Sequence, residues 1–389
     1  MKLPKVLRAF AVLLTSALIL SLSAEPVAGN SLLQDGDSLP PVTEDKPHSA
    51  NEYLYQELSR SAEEIILFDF KIHTKDIGKL YAYLLNNSPE LFYVDGRLSY
   101  SYDADSTVIA VRPCYRSSGD TLKTERELYA RTVAELTEGI TDNMKDAEKA
   151  LLLHDRIISR FDYDTEYKNY DALSMFRDGV GVCQPYALAY IATCRAVGLK
   201  ADFVASEEMR HAWNTVCIDG KYYHADLTHD DPIITEKPSD ERLYVVRHEA
   251  FLRSDAGMAA LGYVGYTAER ICNDTSFERE DGRGVLENIH GEVKLYDGII
   301  YAIDEERRVL RLDFVSDCNL TPLPRSDANG DGTLDLFDLI HIRKYIDGKE
   351  EHLSPATLPE NFYADSTCDG EDILCRTREY LLESMLSDK

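Results

Sequence analysis

A thiol, an imidazole and a carboxylate occur in turn in Gly181-Val182-Cys183, His211-Ala212-Trp213-Asn214 and His224-Ala225-Asp226. Together they are the equipment of thiol acyl transfer, in which a sulfur attacks an amide carbonyl, a base moves its proton and an acid orients the base. Only the thiolate is nucleophilic, and the start of a helix favours it through aligned peptide dipoles and free N–H groups. Cys183 has that setting. Gly179 and Gly181 precede it as turn residues, Pro185 falls where a first helical turn tolerates proline, and Ala187 to Ala196 continues as a helix that Gly198 can cap. The Cys183 backbone N–H is then a candidate oxyanion donor. The Gly-x-Gly pair lacks the third glycine of a dinucleotide loop.

The partners are positioned by a hairpin. Residues 211–218 and 221–227 flank Asp219-Gly220, a pair that makes a two-residue turn and fixes register. Counting outward, Ile218 faces Lys221, Thr215 faces His224 and Trp213 faces Asp226. His211 and Asp226 are therefore diagonal neighbours on one face, close enough for a hydrogen bond. His224, on that same face, is the competing base. Trp213 is expected to pack beside the site, and His229-Asp230-Asp231 before Pro232 is expected to be a solvated turn. Upstream, residues 146–161 place Ala147, Ala150, Leu151, His154, Ile157 and Ile158 on one helical stripe that should pack against the Cys183 helix.

A second constellation lies near the C-terminus. Asp327, Asn329, Asp331, Asp335 and Asp338 fall at positions one, three, five, nine and twelve of a loop in which Gly332 supplies the turn and Thr333 a carbonyl, which is calcium-ligand spacing. A helix pattern, Leu339 to Ile346, follows. A shorter acidic segment from Asp365, leading to Tyr380-Leu381-Leu382, reads as a degenerate repeat of the same unit.

Length and charge bound the rest. The 389 residues suit two or three domains, and 69 acidic against 42 basic residues, a net charge of −27, leave no basic surplus for nucleic acid. Lys2, Lys5 and Arg8 precede an apolar run from about Ala9 to Ala24, shorter than the ~20 residues of a membrane span, so a secretory leader is expected and no membrane span in the mature chain. Of 8 cysteines only Cys183 has a reactive context; Cys114, Cys194, Cys217, Cys272, Cys318, Cys368 and Cys375 are expected to be buried or opportunistically paired. The expected order is leader 1–29, linker 30–50, α+β lead-in 51–140, catalytic core 141–270, β-hairpin appendage 271–322 turning at Asp297-Gly298, and a terminal module 325–389.

The motifs around Cys183, His211 and Asp226, with Phe161-Asp162-Tyr163-Asp164 and Tyr222-Tyr223-His224-Ala225-Asp226-Leu227-Thr228, resemble the bacterial transglutaminase-like superfamily over about Asp146 to Pro232. The resemblance implies an α+β, papain-like core with Cys183 as nucleophile, His211 as base and Asp226 as orienting acid. Pro185 stands where many relatives carry glycine. Members include protein cross-linkers, peptidases, amidases and inactive forms. The substrate class implied is a protein or peptide amide, with transfer, hydrolysis and non-catalytic binding as the alternatives. The terminal module resembles a dockerin, an all-α unit with EF-hand-like loops. That likeness implies structural calcium, a scaffoldin cohesin as partner through Leu336 and Phe337, a cell-surface cellulosome as location, and association with polysaccharide breakdown.

Overall fold

The structure, a computed structural model, describes residues 22–26, 49–232 and 246–346 apart from 267, 290, 297, 305–307, 315–317 and 335, together with 349, 353–357 and 377. Of the expected leader and linker, it describes only Leu22–Pro26, which forms strand β1, and Ser49 and Ala50.

The lead-in begins with helix α1 (Ala50–Ser59), whose first turn is capped by the Ser49 hydroxyl accepting from Glu52 N–H at 3.2 Å. Then follow β2 (Ile65–Ile66), α2 (Thr74–Asn86), β3 (Val94–Tyr102) and β4 (Val108–Tyr115). Ile77, Tyr81 and Leu84 recur at three-to-four spacing on α2 and are buried together with Leu98, Val108 and Val111 of the sheet. The strand order is β1-β3-β4-β2, with β3 and β4 antiparallel.

The core continues through α3 (Gly119–Leu136), α4 (Asp146–Arg160), β5 (Asp162–Tyr163), α5 (Ala172–Asp178), β6 (Val180–Gly181) and α6 (Cys183–Ala196). Next come β7 (Ala201–Ser206), β8 (His211–Ile218), β9 (Lys221–Ala225), α7 (Leu227–Asp230), β10 (Phe251–Arg253) and α8 (Asp255–Ala260). Tyr186, Ala189, Tyr190, Ile191 and Cys194 leave at most 1 % of their surface in contact with water. A helix apolar all round has to be enclosed. Accordingly α6 packs against α4 on one side and against β8 and β7 of the antiparallel sheet β10-β9-β8-β7 on another.

Beyond the core lie β11 (Lys294–Tyr296), β12 (Ile299–Ile303), β13 (Val309–Asp313), β14 (Asn319–Pro322) and α9 (Leu336–Ile346). The expected hairpin is present, with Tyr296 opposite Ile299, but two further strands extend it into an antiparallel meander. These strands pack on the core. Ile300, Ala302, Leu310 and Leu312 belong to the same buried cluster as α4 and α6, because alternate residues of β12 and β13 face that side. Among the described residues no helix is long and apolar enough to cross a membrane.

Candidate active site

Cys183 is the first residue of α6 and 5 % exposed. Val182 precedes it without capping the helix by a side chain, so no side chain occupies the free N–H groups of the first turn. Pro185 removes an N–H that has no partner in a first turn anyway. The approach requires glycine: a Cβ on Gly181 would meet Met175 Sδ at 2.6 Å and Pro185 Cγ at 2.9 Å. The Phe161–Asp164 motif builds the adjoining wall. Asp164 N–H donates to the Gly181 carbonyl, and the Asp164 carboxylate accepts from Glu166, Lys168 and Asn169 N–H at 2.9, 2.7 and 2.9 Å, folding that loop beside the sulfur.

The hairpin has the register read from Asp219-Gly220. Ile218 pairs with Lys221 and Thr215 with His224, and the turn residues have φ of 50° and 82°, which the mirror-image two-residue turn demands. His211 opens β8. Its Nε2 lies 2.5 Å from Asp226 Oδ2, and the Cys183 side chain is among the neighbours that raise its pKa. With Nε2 directed at the carboxylate, Nδ1 is the nitrogen that serves the sulfur. Trp213 stacks against the imidazole with ring centroids 5.7 Å apart.

Asp226 is fully buried and caps α7. Its Oδ1 accepts from Thr228 N–H at 3.1 Å, Thr228 Oγ1 at 2.8 Å and His229 N–H at 3.1 Å, and its Oδ2 from Tyr263 Oη at 2.5 Å as well as from His211. Burial alone would push this carboxyl up, but the His211 charge and these donors hold it well below the usual carboxylate range. The imidazole moves the other way: burial lowers it, and the facing carboxylate overrides that and raises it to about 10.

His224 is placed elsewhere. Trp213 Nε1–H donates to its Nδ1 at 3.0 Å, which fixes Nε2 as the protonated nitrogen, 2.9 Å from Asp255 Oδ1. Burial keeps this imidazole neutral. It holds the tryptophan and does not reach the sulfur. Nor do the three residues after Thr228 form a solvated turn. Asp230 is fully buried, accepts from Glu249 and Ala250 N–H and lies 3.2 Å from His154 Nε2, while Asp231 is 8 % exposed and accepts from Tyr186 Oη at 2.6 Å. Short α7 turns these acids inward.

Tyr263 and Thr228, both on the Asp226 carboxylate, were not singled out from the sequence. Thr228 carries a signal, since Asp-x-Thr at a strand end is an N-cap pattern. Tyr263 is 37 residues away and carries none. Tyr163 is a further neighbour of the sulfur, its phenol raised chiefly by burial and then by Cys183.

Among the described residues, two other clusters have ligand-type atoms close together: His154, Asp155 and His248; and His224, Asp255 and Cys272. In the second, the Trp213 hydrogen bond already occupies the Nδ1 lone pair, so a cation on Nε2 would require an imidazolate. In the first, His154 lies between Asp155 at 2.7 Å and Asp230 at 3.2 Å, and His248 Nε2 is 2.9 Å from Asp155. The imidazoles and carboxylates there satisfy one another.

Cys183 and His211 lie on a cleft of about 790 Å³ whose opposite wall comes from the lead-in, including Leu85, Ser88, Phe92 and Gly96. The other cysteines are mixed in setting: Cys194 and Cys272 are buried, Cys217 is half-buried, and Cys114, against expectation, is exposed on β4. Cys368 and Cys375 lie outside the described residues.

In the terminal loop, Asp327 is fully buried and accepts from Gly330 and Gly332 N–H at 2.7 and 2.9 Å. Asp338, also fully buried in the first turn of α9, accepts from Ala328 and Asn329 N–H at 2.8 and 3.3 Å. Asn329 Nδ2 donates to Asp331, and Thr333 follows at the seventh position. Burial and the nearby Asp338 and Asp331 charges raise the Asp327 carboxyl to about 6, against the lowering effect of the loop N–H groups. Carboxylates brought together at that cost fit a divalent cation. Asp335 and, apart from Thr377, the segment from Asp365 lie outside the described residues.

Residues 130–227 match the family model of the transglutaminase-like superfamily. Among solved structures, the chain is similar to a proposed cysteine protease from Cytophaga hutchinsonii at 19 % identity, with 31 % of this chain and 51 % of that one covered and a TM-score of 0.23. A TGase is similar at 12 % identity, with 45 % and 53 % covered and a TM-score of 0.26. A proposed protease from Parabacteroides distasonis is similar at 13 %, with 34 % and 41 % covered and a TM-score of 0.21. The chain thus spans about half the length of these proteins or less, and scores this low do not establish a shared overall fold. No curated protein matches the chain in sequence.

Proposed function

We propose that this chain is an exported cysteine enzyme that opens amide bonds of proteins or peptides through a thioester on Cys183. The observation that carries the proposal is the convergence of sulfur, imidazole and buried carboxylate at the foot of the cleft.

In the first half-reaction His211 holds the proton taken from sulfur, and the thiolate attacks the amide carbonyl carbon. The C–N bond then breaks, the amine leaves with the His211 proton, and the acyl group remains as a thioester. In the second, a primary amine gives its proton to His211 and attacks the thioester, so that a new amide forms and the thiolate is released. Asp226 keeps the ring oriented and stabilises its charged form. The His211 side chain is 11 % open to solvent, so water can take the place of the amine. Hydrolysis is therefore the second reading. Incorporation of a labelled primary amine into casein, lost in Cys183→Ala, supports transfer. Release of ammonia or fragments without incorporation supports hydrolysis. A Cys183 that iodoacetamide modifies no faster than it modifies a free thiol, and equally in His211→Ala, would leave a binding module.

The terminal module is read as a dockerin that attaches the enzyme to a scaffoldin cohesin at a cell-surface cellulosome. Asp327, Asn329, Asp331, Asp335 and Asp338 side chains with the Thr333 carbonyl would hold its calcium. Leu336 and Phe337, at 64 % and 65 % exposure, offer an apolar surface to the partner. Cohesin binding that persists in EDTA would count against this attachment.

A further inference from the structure

The chain carries a net charge of −27, yet the cleft that holds the sulfur is lined by Arg97, Arg116, Lys168, Arg177 and Arg210. The carboxylates lining it are Asp95, Asp171 and Glu207, so the lining is positive overall. Four of these cations are already engaged. Arg97 pairs with Asp95 at 2.9 Å, Arg116 with Asp171 at 3.0 Å, Arg177 with Asp178 at 2.8 Å, and Lys168 with Glu166. Arg210 is exposed, and among the described residues it has no ionic partner. Glu207, four positions before the base on the same turn, accepts only the Arg210 backbone N–H, through its carbonyl at 3.3 Å, and Glu208 is directed at Gly265.

Arg210 is also the residue next to His211, and its φ is +51°, a left-handed conformation that side chains other than glycine adopt at a cost. The surrounding turn enforces it. Met209 N–H donates to Ser206 Oγ at 3.1 Å, and that hydroxyl donates to the Val264 carbonyl at 2.6 Å. A cation without an ionic partner among the described residues thus lines the cleft one position before the base, in a strained backbone where glycine would be the low-energy choice.

We infer that the cleft selects acyl donors bearing a carboxylate close to the reacting amide, and that Arg210 reads that carboxylate. This specificity rests on Cys183 being the nucleophile described above. The guanidinium presents a planar pair of donors that matches a carboxylate.

The test uses the full-length chain and two alkylating probes, anionic iodoacetate and neutral iodoacetamide, with modification of Cys183 followed by peptide mass. The iodoacetate to iodoacetamide rate ratio, normalised to glutathione, should exceed one, fall several-fold in Arg210→Gly, drop further in Arg210→Glu and recover in Arg210→Lys. Arg210→Gly relieves the left-handed strain, so misfolding does not cloud that variant. A ratio unchanged across the series overturns the assignment while leaving the nucleophile intact. Failure of both probes at Cys183 overturns the nucleophile and the specificity with it. Protection from iodoacetamide by amidated peptides identifies the carboxylate: an Asp-flanked glutamine peptide should protect several-fold better than its Asn counterpart, and this advantage should vanish in Arg210→Glu. Protection by the Asn peptide only when its C-terminus is free would place the carboxylate at the chain end, away from the reacting amide, and overturn the assignment.

Discussion

Asp226 is the residue on which most depends, since it orients the base, charges it and caps a helix at once. Asp226→Asn keeps the size and part of the cap but removes the charge facing His211, and turnover should fall on the order of 10³-fold or more. Tyr263→Phe removes one donor to that carboxylate, a loss of about 1–2 kcal/mol. It should lower the rate about tenfold and shift the pH–rate profile, which a merely packing role would leave in place. The pair also titrates. His211, raised from 6.5 to about 10, keeps in the folded chain a proton that an unfolded chain loses. Its contribution is complete below pH 6.5 and disappears as the pH rises through about 10. The Asp226 contribution, present above pH 3.8, is lost only as the pH falls through its depressed pKa. Melting curves should therefore show wild type exceeding Asp226→Asn by more near pH 6 than near pH 10.5.

At the scale of elements, legibility followed sequence distance. The β8–β9 register could be counted because a two-residue turn leaves no freedom, and the α4 stripe could be read because period and burial agree. Whatever closes over long separations could not. His154 looked like one more member of an apolar stripe, yet it meets Asp230 across 76 residues, and His248 meets Asp155 across 93. The β12–β14 extension was missed because Arg311 and Pro322 interrupt the apolar signal of its strands. The His154 network makes its own prediction. Burial lowers this imidazole, but Asp155 and Asp230 raise it to about 9, so its stabilisation is whole below pH 6.5 and fades as the pH passes about 9. His154→Leu removes the imidazole between two buried carboxylates, which keep only His248 and backbone N–H partners, and should cost about 3–5 kcal/mol in urea unfolding near neutral pH.

Across the whole molecule, an excess of negative charge coexists with two places where charge is organised: the cationic cleft and the acidic loop before α9. Calcium should raise the unfolding temperature of the terminal module in proportion to the logarithm of its concentration, and Asp338→Ala should abolish that rise while leaving alkylation of Cys183 unchanged. The triad motifs and the acidic spacing were visible in the chain. The shared cleft was not, because its walls are brought together from segments that no local pattern links. Since Leu85, Phe92 and Gly96 form the side opposite the sulfur, excising the first hundred-odd residues would leave a trench with one bank. Homologues that exchange this segment would then be expected to change their diet while keeping their chemistry, so that substrate range evolves by recombination at the amino-terminal half rather than by drift at the thiol.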